Sequence, residues 1–485
     1  MVAAPNGGDG IAAGVSGLMI GGTTAAARNV ISGNGLSGVV IDAGQVTGNY
    51  IGANAAGTAA VGNGYYGIEV GGGGGEPKIG GTAAGAGNLI SGNGASGIFV
   101  SMQRGGGSPS IQGNLIGINA FGTAAVGNGA STFAPHRDGI TASVSLLIGG
   151  AQPGARNIIS GNHGAGVSLD TGGSIVGNYI GTDISGNFPL GNAGEGVLSL
   201  AGPLVLGAPG AGNVISANGQ DGVLVFGTDP LGLRDIGGER IGTNAAGSAP
   251  LGNAANGIEV HSSNTRIGGI TPLTGTNRAG NVISANGGDG ILIIGSQTPS
   301  QQFGNNNMVQ GNLIGTDAAG DSALGFGNGH DGITIINSSN NTVGNKAAGT
   351  QGAEALGGNL IAFNRHNGVT VNAPGLLQPQ MLSGVGNLIA GNSIHDNAAL
   401  GIDLGDDGPT PNHVGQITTG PNRFQNFPLL TSAAVTGTQT VVQGTVNSTA
   451  PGSFRVELFA NDIADPSGYG QGQRYLGFTT TMSNG

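Results

Sequence analysis

The sequence of 485 residues contains no cysteine and no tryptophan, and only 8% of its residues are charged and 4% aromatic. Without cysteine, disulfide bonds and thiolate metal sites are excluded. The 14 Lys and Arg residues are outnumbered by 25 Asp and Glu residues, which gives a net charge of −11. Nucleic-acid-binding proteins concentrate basic residues on one face, so DNA and RNA are not expected partners.

Long apolar runs are also missing. No run of about 18 apolar residues is present, so we expect no membrane span. The first residues, MVAAPNGGDGIAAG, lack the charged and apolar regions of a signal peptide. Because Gly8-Asp9-Gly10-Ile11 already matches the repeat described below, we expect the chain to begin inside a repeat and to be part of a longer protein.

Glycine is abundant, with 105 residues, and hydrophobic residues make up 38% of the chain. There is no strict Gly-x-y period, so collagen is excluded, and this apolar content is too high for a disordered chain. Three phrases instead recur in fixed order, with a combined period of about 60 residues. They are Ile-Gly-Gly-Thr, as at Ile20 and Ile79; Asn-x-Ile-Ser-Gly-Asn, as at Asn29 and Asn88; and Gly-Asn-x-Ile-Gly, whose isoleucines are Ile51, Ile116, Ile180, Ile241 and Ile314.

A shorter phrase, Gly followed by apolar, any and apolar residues, lies between these. Each copy has the period of two and the β-branched content of a short strand. The twelve copies predict about twelve coils, and they begin at Gly38, Gly67, Gly97, Gly139, Gly166, Gly196, Gly222, Gly257, Gly290, Gly332, Gly368 and Gly401.

Strands this short cannot bury a face alone. If the coils stack in parallel, isoleucine lies on isoleucine, asparagine lies on asparagine, and each strand finds backbone partners about 4.8 Å above and below. Asn and Gly also supply the left-handed corner residues that such coils need. The sequence therefore predicts an all-β fold, a parallel β-helix on the order of 60 Å long.

The third phrase continues beyond the minimal coil, as in GNLIGTDAAGDSALGFGN from Gly311. The position of Asp317 is occupied by Asn54, Asn119, Asp183 and Asn244 in the other copies. An Asx turn accepts either residue type, whereas a catalytic carboxylate would not tolerate three amides. We therefore interpret the phrase as five loops stacked on one side of the rod.

These phrases resemble those of right-handed parallel β-helix repeat proteins of the pectin-lyase-like superfamily, in particular large secreted or surface-anchored bacterial proteins. The resemblance covers about residues 8 to 428. It implies a β-helix over residues 1–428, with a C-terminal cap at about 387–428. It also implies an incomplete Ig-like β-sandwich over 429–485, for which TVVQGTVNS, SFRVELFAND and RYLGFTTTM supply strand patterns. The expected location is extracellular or at the cell surface.

One candidate catalytic group is His136, Arg137 and Asp138, in a coil lengthened by an insertion. Counting along the repeat places His136 next to His163 of the following coil. A base beside a charge-neutralising Arg is what a lyase needs to abstract a proton next to a uronate carboxylate. The alternative is a solvated loop whose charged residues maintain solubility.

Carboxylates suggest a second kind of site. Asp403, Asp406 and Asp407 are spaced closely enough to bind Ca²⁺, although a polar turn also explains them. A column of Asp, Glu and Asn residues also precedes the short phrase, including Asp138, Asp221, Asp289 and Asp331. Such a column either attracts a cation or simply forms good Asx-Gly turns. No cofactor is expected to be required, with Ca²⁺ the one possibility.

Two functions remain open at this point. The first is a structural, adhesive or glycan-binding rod segment without chemistry of its own, whose partner is a polysaccharide or cell-surface glycan. The second is a polysaccharide lyase or glycoside hydrolase that acts in a groove along the β-helix. The low charge, the regular coils, the two lysines and the absence of tryptophan favour the first.

Overall fold

The structure is a computed structural model. It describes residues 6–15, 17–72, 75–101, 107–227, 233–269, 280–296, 303–321, 325–345, 357–372, 384–415, 417–448 and 452–483. Within these ranges the regular elements are strands and two short 3₁₀ helices, Ala25–Ala27 and Pro421–Phe424. None of the described helices is long and apolar enough to cross a bilayer.

Three long parallel sheets make up most of the chain, and the chain visits them in the order A, B, C once per coil. Sheet A has 13 strands: Ile11–Ala13, Val39–Ile41, Ile68–Val70, Ile98–Val100, Ile140–Ala142, Val167–Leu169, Val197–Ser199, Val223–Gly227, Ile258–Ser262, Ile291–Ile294, Ile333–Ile336, Val369–Asn372 and Ile402–Leu404. Sheet B has 12 strands: Met19–Gly21, Gln45–Thr47, Lys78–Gly80, Ser110–Gln112, Leu147–Gly149, Gly173–Val176, Leu204–Leu206, Arg234–Ile236, Thr265–Gly268, Met308–Gln310, Thr342–Gly344 and Leu388–Ala390.

Sheet C also has 12 strands: Val30–Ile31, Tyr50–Ile51, Leu89–Ile90, Leu115–Ile116, Ile158–Ile159, Tyr179–Ile180, Val214–Ile215, Arg240–Ile241, Val282–Ile283, Leu313–Ile314, Leu360–Ala362 and Ser393–His395. The prediction of a parallel β-helix of about twelve coils is therefore confirmed. The Asn-x-Ile-Ser and Gly-Asn-x-Ile-Gly phrases occupy this same sheet in alternate coils, since Ile31 pairs with Ile51 and Ile51 with Ile90.

The core is a set of isoleucine and valine columns inside the three sheets. In sheet A the two outer residues of each short strand point inwards, as shown by Ile68 and Val70, which are fully buried. Their register is direct, with Ile98 opposite Ile68 and Val100 opposite Val70. Each coil therefore buries apolar side chains on the coils above and below, at about 25 cal/mol per Å² removed from water.

Asparagine ladders stabilise the corners between the sheets. At the corner between sheets C and A, each Asn side-chain oxygen accepts the backbone N–H and the Nδ2 of the Asn one coil earlier, as Asn192 does for Asn162 at 3.1 and 2.9 Å. This ladder runs through Asn6, Asn34, Asn63, Asn93, Asn128, Asn162, Asn192, Asn218, Asn253, Asn286, Asn328, Asn364 and Asn397.

A second ladder follows the corner between sheets B and C, from Asn29 to Asn392. One of its rungs is an acid, Glu239, whose two carboxylate oxygens accept the N–H and Nδ2 of Asn213. A shorter third ladder, Asn307, Asn341, Asn387 and Asn422, lies at the corner between sheets A and B. The stacking of asparagine on asparagine expected from the sequence is thus present at all three corners.

The five loops of the third phrase contact one another directly. Backbone N–H groups of Ala120, Ile184 and Ala245 donate to Gly57, Gly122 and Gly186 of the loop before, at 2.8 to 2.9 Å. Within each loop the Asx side chain accepts a backbone N–H four residues later, as Asn54 does from Thr58 and Asp317 from Asp321. The loop phrase therefore has the architectural role that its sequence indicated.

The C-terminal end of the rod is closed by two segments. The 3₁₀ turn Pro421–Phe424 lies against the last strands of sheet A, with Phe424 half-buried. The ladder between sheets C and A ends on Gln471, which accepts from Asn397 N–H and donates to the Asn397 and Ala399 carbonyls. Because Gly472 also pairs with Ile394, the end of sheet C is covered by residues far along the chain.

Residues beyond the rod form two antiparallel hairpins. One pairs Leu429–Thr436 with Gln439–Thr445, and the other pairs Gly452–Ala460 with Arg474–Ser483. The predicted strands are present, but the two hairpins form separate two-stranded sheets in the described residues. The expected Ig-like β-sandwich is therefore not confirmed, and the domain division at residue 428 stays a prediction.

Candidate functional site

The column of Asx residues before the sheet A strands is a hydrogen-bonded ladder of its own. Asp221 accepts the backbone N–H of Asn256, and Asn256, Asp289, Asp331 and Asn367 do the same for the following coil, at 2.8 to 2.9 Å. Asp and Asn serve equally in this contact because only an acceptor oxygen is needed. The column is therefore explained by architecture over these coils, without a cation.

Two histidines are added to this column near its C-terminal end. His330 and His366 precede Asp331 and Asn367 in adjacent coils, and their rings stack with centroids 4.7 Å apart. His330 Nδ1 lies 2.8 Å from Asp289 Oδ1, and His366 Nδ1 lies 2.7 Å from Asp331 Oδ1. Each imidazole is thus paired with a carboxylate from the coil before it, while the two side chains stay 50% and 40% exposed.

The electrostatics of this cluster are dominated by carboxylates. Burial raises the pKa of Asp289, and the neighbouring charge of Asp331 adds to this, although the hydrogen bond from His330 opposes it. Burial lowers the pKa of His330, but the hydrogen bond to Asp289 and the charges of Asp331 and Asp289 outweigh burial, so the pKa is raised. Asp331 is fully buried and accepts Thr334 Oγ1 as well. We refer to Asp289, His330, Asp331 and His366 as the His–Asp cluster.

The predicted catalytic trio lies six coils before His330 on the same side of the rod. The His136 ring stacks on Phe99 at 5.3 Å, and Phe99 stacks in turn on Tyr66 at 4.5 Å. No ring contact between His136 and His163 occurs in the described residues. Arg137 Nε donates to the Gly129 carbonyl at 2.7 Å, so this guanidinium is held by its own loop.

The third member, Asp138, has a structural role in the column. It accepts the Ala165 N–H at 2.8 Å and Thr141 Oγ1 at 2.9 Å. Burial raises the pKa of Asp138, and these two hydrogen bonds partly offset the rise. Asp170, in the following coil, accepts Ser143 Oγ at 2.6 Å. Catalysis by His136, Arg137 and Asp138 stays a prediction.

Of the proposed calcium residues, Asp403 lies in the last sheet A strand, and Asp406 and Asp407 lie in the turn that follows it. Asp403 is buried, and its carboxylate accepts the backbone N–H groups of Asp406 and Gly408 at 3.2 and 3.1 Å. Burial raises the pKa of Asp403, and the charges of Asp406 and Asp407 raise it further, against the two backbone hydrogen bonds. The arrangement is that of an Asx turn with two further exposed carboxylates, and Ca²⁺ binding by it stays a prediction.

A melting experiment tests the calcium prediction. If Asp403, Asp406 and Asp407 bind Ca²⁺, a concentration about 100 times Kd stabilises the folded state by about 2.7 kcal/mol and raises the melting temperature. The double variant Asp406→Ala, Asp407→Ala is expected to lose this rise, whereas Asp462→Ala, in an exposed loop, is expected to keep it. An unchanged wild-type melting curve in Ca²⁺ would remove the site.

The sequence interpretation missed the His–Asp cluster, although a signal was present. His330 to Ile335 read HDGITI and His366 to Val371 read HNGVTV, two nearly matching phrases in consecutive coils. In the nearest coils of the same column the position of these histidines is occupied by Ala255, Gly288 and Ala399. Two histidines at a position where alanine or glycine also fits the fold indicated that a cluster forms there.

Comparisons with known proteins show only a low similarity to solved structures. No family model matches the chain, and no curated protein matches it. Among solved structures, the Dettilon tailspike protein gp208 is similar with 14% identity and a TM-score of 0.32, over 98% of this chain and 85% of that one.

Two further structures are A-modules of Azotobacter vinelandii mannuronan C-5 epimerases. AlgE6 shows 15% identity and a TM-score of 0.22, over 78% of this chain and 87% of its own. AlgE4 shows 14% identity and a TM-score of 0.20, over 78% and 91%. The chain is a parallel β-helix. No functional residue is carried over from these structures, because the similarity is too low to support one.

Proposed function

We propose that this protein is a polysaccharide-binding rod that acts outside the cell or at its surface, by adhesion and without turnover. The observation that carries the proposal is a row of ring and hydrogen-bonding side chains along the sheet A side. It comprises Phe99 and His136 in consecutive coils, Phe226 and His261 in a second group, and His330 and His366 in a third. The buried Tyr66 stacks on Phe99 from the coil before and supports the first group.

The geometry of this row suits a linear polymer. Its groups recur along the rod axis because consecutive coils are about 4.8 Å apart. A polysaccharide lying along the rod would meet apolar ring edges and polar groups at several points, and weak contacts at several points combine into useful avidity. Glu259 adds a polar side chain to the second group, Phe226 and His261, since its carboxylate is hydrogen-bonded to His261 and to Asn256 Nδ2.

The alternative, a polysaccharide lyase or hydrolase, receives less support from the His136 group. A lyase needs an Arg or cation to neutralise a uronate, and Arg137 is anchored to its own loop through the Nε–H that it donates to the Gly129 carbonyl. Asp138 already accepts two hydrogen bonds from Ala165 and Thr141. These contacts support a structural role for the two side chains, Arg137 in the lengthened loop and Asp138 in the Asx column.

Binding to acidic and neutral polysaccharides of graded length tests the proposal. Affinity is expected to rise with chain length, and Phe99→Thr is expected to lower it about tenfold, which corresponds to about 1.4 kcal/mol. The variant is expected to fold, because the register partner of Phe99 is Thr141. Phe121→Ala, at an exposed position on the stacked loops, is the matched control and is expected to bind like the wild type.

The same samples are assayed for unsaturated products by ultraviolet absorption and for new reducing ends. No product is expected. Turnover that disappears in His136→Ala and Arg137→Ala would overturn the proposal in favour of the enzyme. Equal affinity of Phe99→Thr and the wild type would show that the row of rings is not the binding surface.

A further inference from the structure

The His–Asp cluster has the composition of a transition-metal site. One ligand atom each from His330, Asp331 and His366 lies within 4.8 Å of the others. His330 Nδ1 is 3.6 Å from Asp331 Oδ2, a separation that two ligands of one ion can have when each is about 2.0 to 2.2 Å from it. We propose that His330, Asp331 and His366 bind one borderline divalent cation such as Zn²⁺ or Ni²⁺, an inference that does not depend on glycan binding by the third group of the row.

The two imidazoles are held in place before any ion arrives. They stack with an interplanar angle of 22°, and each is hydrogen-bonded to a carboxylate of the preceding coil. The parallel strands below them fix the spacing, because Ile333 pairs directly with Val369. Little side-chain entropy is left to lose on binding, and preorganisation of this kind increases affinity.

The surroundings favour a cation. Asp289 Oδ1 lies 2.8 Å from His330 Nδ1, and Asp406 Oδ1 lies 3.9 Å from His366 Nδ1. With neutral imidazoles, these two carboxylates and Asp331 leave a surplus of negative charge at a partly exposed surface. Since the Nδ1 of His330 faces both Asp289 and Asp331, a cation bound at this atom would replace its proton, and binding is expected to release protons.

The ligand types select the class of ion. Two imidazoles and one carboxylate, with a position left for solvent, suit Zn²⁺, Ni²⁺ or Cu²⁺. Ca²⁺ requires six to eight oxygen ligands and does not favour nitrogen. The inferred site therefore differs in chemistry from the predicted calcium site of Asp403, Asp406 and Asp407. The two sites are close, because Asp406 Oδ1 lies 3.9 Å from His366 Nδ1.

Coil geometry alone does not require the histidines. The same position in the preceding and following coils is Gly288 and Ala399, and those coils keep their Asx hydrogen bonds. The fold therefore does not need the two histidines, which stand in successive coils beside carboxylates. Replacement of either histidine by alanine is accordingly expected to leave the fold intact.

Calorimetric titration of the whole chain without a histidine tag, freed of metal by a chelator, tests the inference. Zn²⁺ is expected to bind one ion per chain, and His330→Ala and His366→Ala are each expected to weaken binding by at least about 100-fold. Asp331→Asn is expected to weaken it by at least about tenfold. This variant keeps the column intact because Asn256 and Asn367 make the same backbone contact.

His163→Ala, which removes an exposed histidine elsewhere on the rod, is the matched control and is expected to bind Zn²⁺ like the wild type. Co²⁺ is expected to give visible absorption bands that disappear in His366→Ala, and millimolar Ca²⁺ is expected not to compete. The inference is overturned if no Zn²⁺ binds, if both histidine variants bind as the wild type does, or if Ca²⁺ displaces Zn²⁺ at equal concentration.

Discussion

Replacing Asn192 by Ala is expected to lower the free energy of unfolding by about 4 kcal/mol. The side chain is 1% exposed and makes four ladder hydrogen bonds: it accepts Asn162 N–H and Nδ2, and it donates to the Ile159 carbonyl and Asn218 Oδ1. The substitution leaves two donors of Asn162 buried without that acceptor. An unsatisfied buried polar group costs about 1 to 3 kcal/mol, and two such groups account for the estimate.

Hydrogen exchange of the amides in this coil, together with denaturant unfolding, measures the effect. A rod of repeats can open locally, so the exchange of the Asn162 amide is the more direct readout. Asn187→Ala is the matched control, because Asn187 is exposed and accepts a single hydrogen bond, from Asn244 at 3.3 Å. Equal stability of the two variants would show that the ladder does not hold the coils together.

Replacing Glu239 by Asn is expected to raise the free energy of unfolding by about 2 kcal/mol at neutral pH. Glu239 occupies a rung that is Asn213 in the preceding coil and Asn281 in the following one, and it is fully buried. Burial raises the pKa of its carboxyl well above 4.5, against the hydrogen bonds from Asn213 and the charge of Arg240. A buried ionised group is costly, whereas an amide accepts the same hydrogen bonds without charge.

The effect of this substitution depends on pH in a definite direction. Because the folded-state pKa of Glu239 is raised, its protonation stabilises the wild type below pH 4.5, and this contribution is lost as pH rises through the folded-state value. The advantage of Glu239→Asn is therefore expected to be smallest below pH 4.5 and to grow as the pH rises to the folded-state value. Unfolding midpoints across this range measure it, with Glu76→Gln, at an exposed site, as the control. A difference that does not change with pH would contradict the explanation.

Much of the fold could be predicted because the signals are local. Each Gly-apolar-x-apolar phrase carries its own strand period, and each became one strand of sheet A, as at Ile68–Val70 and Ile98–Val100. The Asx loops were also predictable, since Asn54 and Asp317 form their turns with residues only four positions later. Steric and turn preferences over a few residues are sufficient for both.

The candidate sites were less predictable, because they depend on contacts between coils of unequal length. Rungs of the corner ladders are separated by as few as 20 and as many as 47 residues. The count that placed His136 beside His163 did not give the observed partner, Phe99. Similarly, nothing local in the sequence around Gln471 indicates that it completes a ladder begun at Asn6.

The sequence by itself determined the strands, the turns and the approximate number of coils, since these follow from a period of two, β-branched residues and the Asn and Gly corners. Only the tertiary structure decided which side chains meet. His330 and His366 are 36 residues apart and become neighbours because the sheet A register places Ile333 on Val369. Gln471 also contacts a residue that is distant in sequence. Its side chain accepts the Asn397 N–H, which has no further coil to bond to at the end of the ladder. Backbone pairing sets these distances, and chemistry at the surface of the rod follows from it.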